Sequence, residues 1–318
     1  MKLSIIIPVY NSSATINQAV ASVLNNRSTD FELIIVDDGC TDNSLSIVKK
    51  YCQDNRLKII LSQHKGPSSA RNLGLDIASG EYIIFLDADD YLNNHSIDDT
   101  LIKYCESIIH PECVIFPYMW ANNKKLIEVP FKHRVKTDEV IKYITIHDKL
   151  NTVWSKLYKK TIIEKNNIRF DENIVIGEDK VFNLCYFNAI SKSQEIIISD
   201  RCVWVQRKNV KTSVMSKFSK NTLNDLFKVY NYVYPYACKY NTLQDVNYIY
   251  LCKILSYYIS CIENKVPLKN NNSSEMVKYF INIKSDSIRF NILRIFIKYN
   301  IFIYILYVLK KIISLRKK

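Results

Sequence analysis

The chain has 318 residues, 48% hydrophobic and 24% charged, with 44 Lys and Arg against 31 Asp and Glu for a net charge of +13. That is too apolar for a disordered chain and long enough for an α/β unit with an appendage. Nine cysteines are present without a CxxC pair, which argues against a zinc site and for reduced thiols used mostly as core fillers.

The apolar run in MKLSIIIPVYNSS is too short for a signal peptide and reads as a first strand, Leu3–Tyr10. Ser12 or Ser13 is placed to cap a helix from about Ala14 to Asn25. Phe31–Gly39 reads as the second strand, with a helix opening at Asp42 or Asn43. Leu57–Gln63 is the third strand, a helix follows Pro67, and Glu81–Asp89 is the fourth strand. Continuous apolar strands alternating with helices predict a mainly parallel sheet buried on both faces. Such sheets bind ligands at the carboxyl ends of their strands. Those ends read Tyr10-Asn11, Asp37-Asp38-Gly39, Gln63-His64 and Asp87-Ala88-Asp89.

Beyond Asp90 the rhythm weakens. A helix is expected near Ser96–Ser107, a strand over Cys113–Trp120, and polar mixed sequence over 121–150. Further strands are expected around Ile174–Ile176 and Glu195–Gln206, and helices from about Ser219, interrupted by a polar loop at Asn264–Glu275. The run Ile301–Leu309 is only nine residues, far short of the roughly 20 that span a bilayer. Arg294 and Lys298 before it, with Lys310, Lys311 and the final LRKK after it, suit a helix lying in an anionic membrane interface. A packed C-terminal helix is the plainer alternative. Residues 1–90 hold 8 Lys and Arg against 11 Asp and Glu, a balance of −3, so the remainder carries +16. A basic second half points to an anionic partner for that half.

The chemistry concentrates at IIFLDADDYL, Ile83–Leu92, where an apolar strand ends in Asp87, Asp89 and Asp90. Three crowded carboxylates repel one another, and Mg²⁺ or Mn²⁺ relieves that repulsion while holding substrate phosphates. Neither GxGxxG nor GxxxxGK[ST] occurs, which disfavours the usual dinucleotide and P-loop folds. Asp38 is placed to accept hydrogen bonds from a base or ribose, whereas Asp42 reads better as a helix cap. Arg71, early on its helix, could fork to a diphosphate or pair with an acid of the same rim.

Taken together, IIIPVYN (Ile5–Asn11), VDDGCTDNS (Val36–Ser44), ARNLGL (Ala70–Leu75) and GEYIIFLDADD (Gly80–Asp90) resemble, in order and spacing, the inverting family 2 glycosyltransferases of bacterial cell-surface polysaccharides. The resemblance implies a GT-A fold: α/β, Rossmann-like, a mainly parallel central sheet flanked by helices, over residues 1–215. A helical region, 216–318, with a basic amphipathic tail would follow. It implies Pro8, Tyr10, Asp38, Arg71 and Asp87 toward the donor, and Asp89 with Asp87 toward the metal. In IGEDKVFN it implies Asp179 as catalytic base with Glu178 beside it. Trp154 and Lys156 of WSKLY and Arg207 of QRKNVKTS would lie on the acceptor side. Ser213 belongs to the same segment, but Gln206 replaces the aromatic usual before that arginine, so the role of Arg207 is left open. The implied partners are a nucleotide sugar, UDP-linked by family habit, and a saccharide acceptor, lipid-linked. The implied location is cytoplasmic, peripheral on the inner face of the membrane, with no nucleic acid partner.

Two other classes fit parts of the chain. FLDADDYL matches the Asp-x-Asp of haloacid-dehalogenase-type phosphatases, with Asp87 as nucleophile and Asp89 as acid/base, but three strands precede it here where that class carries the motif on its first. The basic Tyr- and Lys-rich second half would suit a non-enzymatic membrane- or nucleic-acid-binding module, although tyrosine at helical spacing is usually core.

Overall fold

Long runs of Ile, Leu and Val are buried on both faces only inside a layered sheet, and β1 (Leu3–Val9) and its neighbours lie there. The computed structural model describes residues 1–192, 194–207, 222–264, 275–283 and 287–298. Ser213, most of the Asn264–Glu275 loop and the Ile301–Leu309 run lie outside the described residues.

After β1 come α1 (Ile16–Leu24), β2 (Phe31–Asp37), α2 (Ser44–Lys49), β3 (Leu57–Leu61), α3 (Pro67–Ile77), β4 (Tyr82–Phe85) and β5 (Tyr91–Leu92). One wide helical turn, Ile97–Leu101, leads into α4 (Ile102–Cys105). Then follow β6 (Cys113–Ile115), β7 (Tyr118–Trp120), β8 (Lys125–Ile127), β9 (Arg134–Lys136), α5 (Thr137–Ile146), β10 (Lys156–Lys159), α6 (Lys160–Lys165), α7 (Glu178–Ala189), β11 (Glu195–Ile198) and β12 (Trp204–Gln206).

The large sheet has the order β3-β2-β1-β4-β10-β6-β11-β9. Strands β1 to β4 are mutually parallel, with Leu3 opposite Phe31 and Tyr82. β10 runs antiparallel between β4 and β6, which restores β6 and β11 to the direction of β4, and β9 closes the edge antiparallel to β11. The expected mainly parallel α/β sheet is therefore present. Every residue of β2 is buried, and Ile16, Ala19, Val20 and Val23 bring the apolar face of α1 onto the sheet. At the start of β1 and β2 a polar knot interrupts this core: Ser4 Oγ donates to Glu32 (2.6 Å), as do Ser79 N (2.6 Å) and Lys58 Nζ (2.5 Å). Burial by itself would raise the Glu32 pKa, but these donors outweigh it and hold the carboxyl at about 2.

Several expectations need correction. Cys113–Trp120 and Glu195–Gln206 each divide into two strands, one per sheet, because β5, β12, β7 and β8 form a second, four-stranded sheet. Residues 121–150 contain β8, β9 and α5, whose short strands carry too few apolar residues to stand out. Ile174–Ile176 is no strand but part of the turn before α7. Neither Ser12 nor Ser13 caps α1, whose first turn follows Thr15 without a side-chain cap. Instead their N–H groups donate to Ser44 Oγ and Asp42. Asn43, not Asp42, immediately precedes α2, yet the Asp42 carboxylate accepts from Ser44 N at 2.9 Å and so does the capping. All nine cysteines are free thiols, but only Cys105, Cys113 and Cys261 are buried, so core filling describes a minority.

Contacts divide the chain into two units, Met1–Ile144 with Asp148–Val214 and Thr145–His147 with Met215–Lys318. The second contains α8 (Thr222–Lys239), α9 (Leu243–Glu263), α10 (Glu275–Asn282) and α11 (Ile288–Lys298). Its core centres on Tyr230, whose hydroxyl donates to Asn247 at 2.7 Å and whose ring meets Tyr250 and Phe280. Among the described residues no helix is long and apolar enough to cross a membrane.

Candidate functional site

The carboxyl ends of β1, β2 and β4 converge, as parallel strands in register must, and they bring the polar strand ends together. At the end of β2 the buried Asp38 carboxylate accepts from Lys65 N (3.0 Å) and Gly66 N (2.8 Å) and lies 3.1 Å from His64 Nδ1. His64 in turn stacks on Tyr10, with centroids 3.9 Å apart and 17° between planes. Asp38 thus organises a loop that presents a half-exposed aromatic face beside β1. Pro8 sits one turn of the pleat earlier, opposite Val36. Asn11, with φ of 45°, accepts from Thr41 N at 2.8 Å and ties this rim to the start of α2.

At the end of β4 the three acids gather as the sequence implies. Asp87, Asp89 and Asp90 each offer an oxygen within 4.8 Å of the others. Burial, then the charge of Asp87, raises the Asp89 pKa, and burial with the charges of Asp87 and Asp89 pushes Asp90 up to about 8. Hard oxygen donors short of positive charge fit Mg²⁺ or Mn²⁺, so the residues match the metal the motif implies. Asp90 also accepts from Arg207 N at 2.8 Å. The Arg207 guanidinium donates to Asp89 O and Gln18 and lies 4.9 Å over the Tyr91 ring. Arg207 therefore groups with the acid cluster rather than with Trp154 and Lys156.

The third group comes from α3 and α7. Gly177, with φ of 95°, turns the chain into α7 in the left-handed region that side chains avoid, and so sets Glu178 and Asp179 in its first turn. They are not solvated acids. Arg71, almost wholly buried, donates to Glu178 and Asp179 at 3.3 Å each and to Asp87 at 3.0 Å. Its guanidinium lies 5.3 Å from the centre of the Phe170 ring. Burial works against that charge, but three carboxylates more than compensate and raise its pKa. Burial, then the neighbouring Asp179 charge, lifts Glu178 to about 7. Asp179 is also raised by burial, against the pull of Arg71, the Val153 N–H and Lys156. The Val153 N–H donates to Asp179 at 3.2 Å, so the segment before β10 walls this acid.

Lys156 is fully buried, and burial lowers its pKa to about 8. Its ammonium donates to Thr152 O, which turns it into the protein rather than toward an incoming molecule. Trp154 is nearly buried too, edge-on to Tyr118 at 4.7 Å. Phe170 and Gln18, which the sequence did not single out, and Asn72, which lies in the ARNLGL stretch, complete the site. Phe170 faces Arg71, Asn72 pins the Phe170 backbone with bonds of 2.9 Å in both directions, and Gln18 anchors Arg207. No local pattern marks Phe170 or Gln18, whose bonds span 98 and 189 positions.

The sequence model described as glycosyl transferase family 2 matches residues 4–166. An uncharacterized glycosyltransferase, EpsJ, of Bacillus subtilis (strain 168) is 28% identical over 272 residues, covering 79% of this chain and 75% of that one. The poly(ribitol-phosphate) beta-N-acetylglucosaminyltransferase TarS of Staphylococcus aureus (strain MW2) is 31% identical over 213 residues, covering 65% of this chain but only 36% of TarS. The crystal structure of S. aureus TarS 1–349 in complex with UDP-GlcNAc superposes with a TM-score of 0.67 at 23% identity, over 89% of this chain and 80% of that one. The structural likeness establishes the shared GT-A fold.

Proposed function

The chain belongs to glycosyl transferase family 2, and on that premise we propose that it moves a sugar from a UDP-sugar to a hydroxyl of a saccharide acceptor with inversion at the anomeric carbon. It is a glycosyltransferase related to enzymes of teichoic acid and polysaccharide synthesis. The acceptor in this reading is lipid-linked and the product a capsule, exopolysaccharide or lipopolysaccharide. Residues 1–215 form the catalytic domain and 216–318 a helical region that joins it, from the cytoplasmic side, to an anionic membrane surface.

The observation that carries this reading is the buried Arg71 guanidinium. It bonds Asp87 of the Asp-x-Asp stretch on one side and Glu178 and Asp179 on the other. One rigid fork thereby holds the leaving-group end and the acceptor end of a displacement in fixed relation. Asp87 and Asp89 would hold Mg²⁺ or Mn²⁺, with Asp90 behind them. A bound ion there supplies neutralisation of the charge developing on the departing nucleoside diphosphate. Tyr10, stacked on His64, offers a face for the base, and Pro8 and Asp38 shape the same wall. Asp179 takes the acceptor hydroxyl's proton at its carboxylate as that oxygen attacks. Arg71 and the Val153 N–H favour its ionised form against the burial that opposes it. Trp154 and Lys156 support the acceptor wall from within, and Arg207 closes the acid cluster.

The phosphatase alternative leaves the motifs of Val36–Ser44 and Ala70–Leu75 without a role, while the family match includes them. The test is a thermal-shift screen of sugar nucleotides with and without Mn²⁺, followed by assay for released nucleoside diphosphate. A donor should raise the melting temperature, more so with metal. No shift with any nucleotide sugar, together with phosphate release from sugar phosphates, would overturn the proposal.

A further inference from the structure

At the opposite end of the large sheet an exposed apolar turn meets a basic hollow. Ile108 and Ile109, between α4 and β6, are 96% and 52% exposed. The turn is held rather than frayed: His110, with φ of 44°, donates its N–H to Ser107 O at 2.9 Å. Beside it lies a cavity of about 250 Å³. Ile109, Pro111 and Ile197 form its apolar side, and Arg134, Lys136 and Lys192 its charged side. Glu195, which also lines it, is 3.9 Å from Arg134, while Lys136 and Lys192 have no ion-pair partner among the described residues.

We infer that this corner docks on an anionic phospholipid bilayer. Ile108 and Ile109 enter the boundary between headgroups and acyl chains, and a lipid phosphate seats among Arg134, Lys136 and Lys192. Adjacent aliphatic side chains left in water gain free energy only on leaving it. Cations rimming an apolar tip match the layering of a bilayer surface, negative phosphate above hydrocarbon. A single-stranded nucleic acid would want aromatic stacking faces, and the hollow has none. The inference deepens the peripheral-membrane reading given above and does not involve the C-terminal tail.

β4, β6 and β11 run in one direction, the apolar turn precedes β6, the hollow takes in the first part of β11 and the β9 residues beside it, and Asp87 follows β4. The apolar turn and the acid cluster are therefore at opposite ends of the strands, separated along them by at least about 13 Å, the rise of the four-residue β4. A docked enzyme turns its acid cluster away from the bilayer and meets acceptor ends that project at least that far.

The test is co-sedimentation of the full chain with vesicles of phosphatidylcholine alone or with added phosphatidylglycerol. Wild type should bind the anionic vesicles and not the neutral ones. Ile108→Asp, and separately Lys136→Glu with Lys192→Glu, should each weaken that binding about tenfold or more while the thermal shift with a sugar nucleotide stays unchanged. If wild type binds and both variants bind as tightly, this corner is not the contact, although the membrane reading survives. If wild type binds neither vesicle, the membrane reading fails and this inference with it. Equal binding to both vesicle types overturns the phosphate seat.

Discussion

Arg71 is one cation facing three carboxylates in a nearly closed space, and its replacement separates charge from shape. Arg71→Met leaves those acids uncompensated and should lower stability by about 3–5 kcal/mol, read by denaturant unfolding. Arg71→Lys keeps the charge but loses the fork, so it should fold while its kcat falls by about tenfold or more. Asp179→Asn removes the proposed proton acceptor and preserves size. It should retain the donor-induced thermal shift and lose transfer by about 100-fold or more; transfer at the wild-type rate would transfer the base role elsewhere. Asp89→Ala should abolish the Mn²⁺-dependent part of the thermal shift. The acids at the end of β4 are legible from one chain, because an apolar strand can release charge only at its end. Pairing of Arg71 with that rim is one of the two readings its position allows, but its bonds to Glu178 and Asp179 are not legible, since those acids are 107 and 108 positions away.

The start of the sheet is held by the Ser4–Glu32–Ser79 knot, which joins β1, β2 and the turn before β4. Gly80 belongs to it: its N–H donates to Ser4 Oγ at 2.8 Å, and a Cβ there would fall 2.5 Å from Ser4 N. The Glu32 carboxyl titrates near 2 in the fold and 4.5 outside it. A depressed acid stabilises the fold above its unfolded pKa, and that contribution disappears as pH falls from about 4.5 through about 2. Glu32→Gln should therefore melt below wild type at pH 7, by about 1–3 kcal/mol of stability, with the gap closing in that acid window. The first four strands are readable because runs such as FELIIVD have one stable environment. β8 and β9 are three residues each, too short for a period to show, and β9 pairs with a neighbour distant in sequence.

For the whole molecule, the buried Glu178–Asp179 pair sets the expected pH response. Glu178 is raised from 4.5 to about 7, so its ionised form is disfavoured by the fold. The linked stability is complete below pH 4.5 and is lost as pH rises through about 7. Glu178→Gln should thus melt above wild type at pH 8, with the difference vanishing near pH 4.5. If Asp179 is the base, kcat/KM should fall as pH drops below the range where the pair loses its last shared proton. Glu178→Gln, lacking the like charge beside Asp179, should shift that limb to lower pH. An unshifted limb in this variant would uncouple the two acids.

Residue order alone carried the α/β class, the first four strands, the helices between them and the set of acids at the strand tips, because burying apolar runs dictates where polar groups must emerge. Folding in three dimensions settled which of those polar groups meet. It drew Arg71 inside, seated Arg207 on the Asp89 carbonyl and the Asp90 carboxylate, turned Lys156 inward, and divided Cys113–Trp120 between two sheets. Those outcomes depend on the sum of burial, charge and strand direction across the chain, and no local stretch contains that sum.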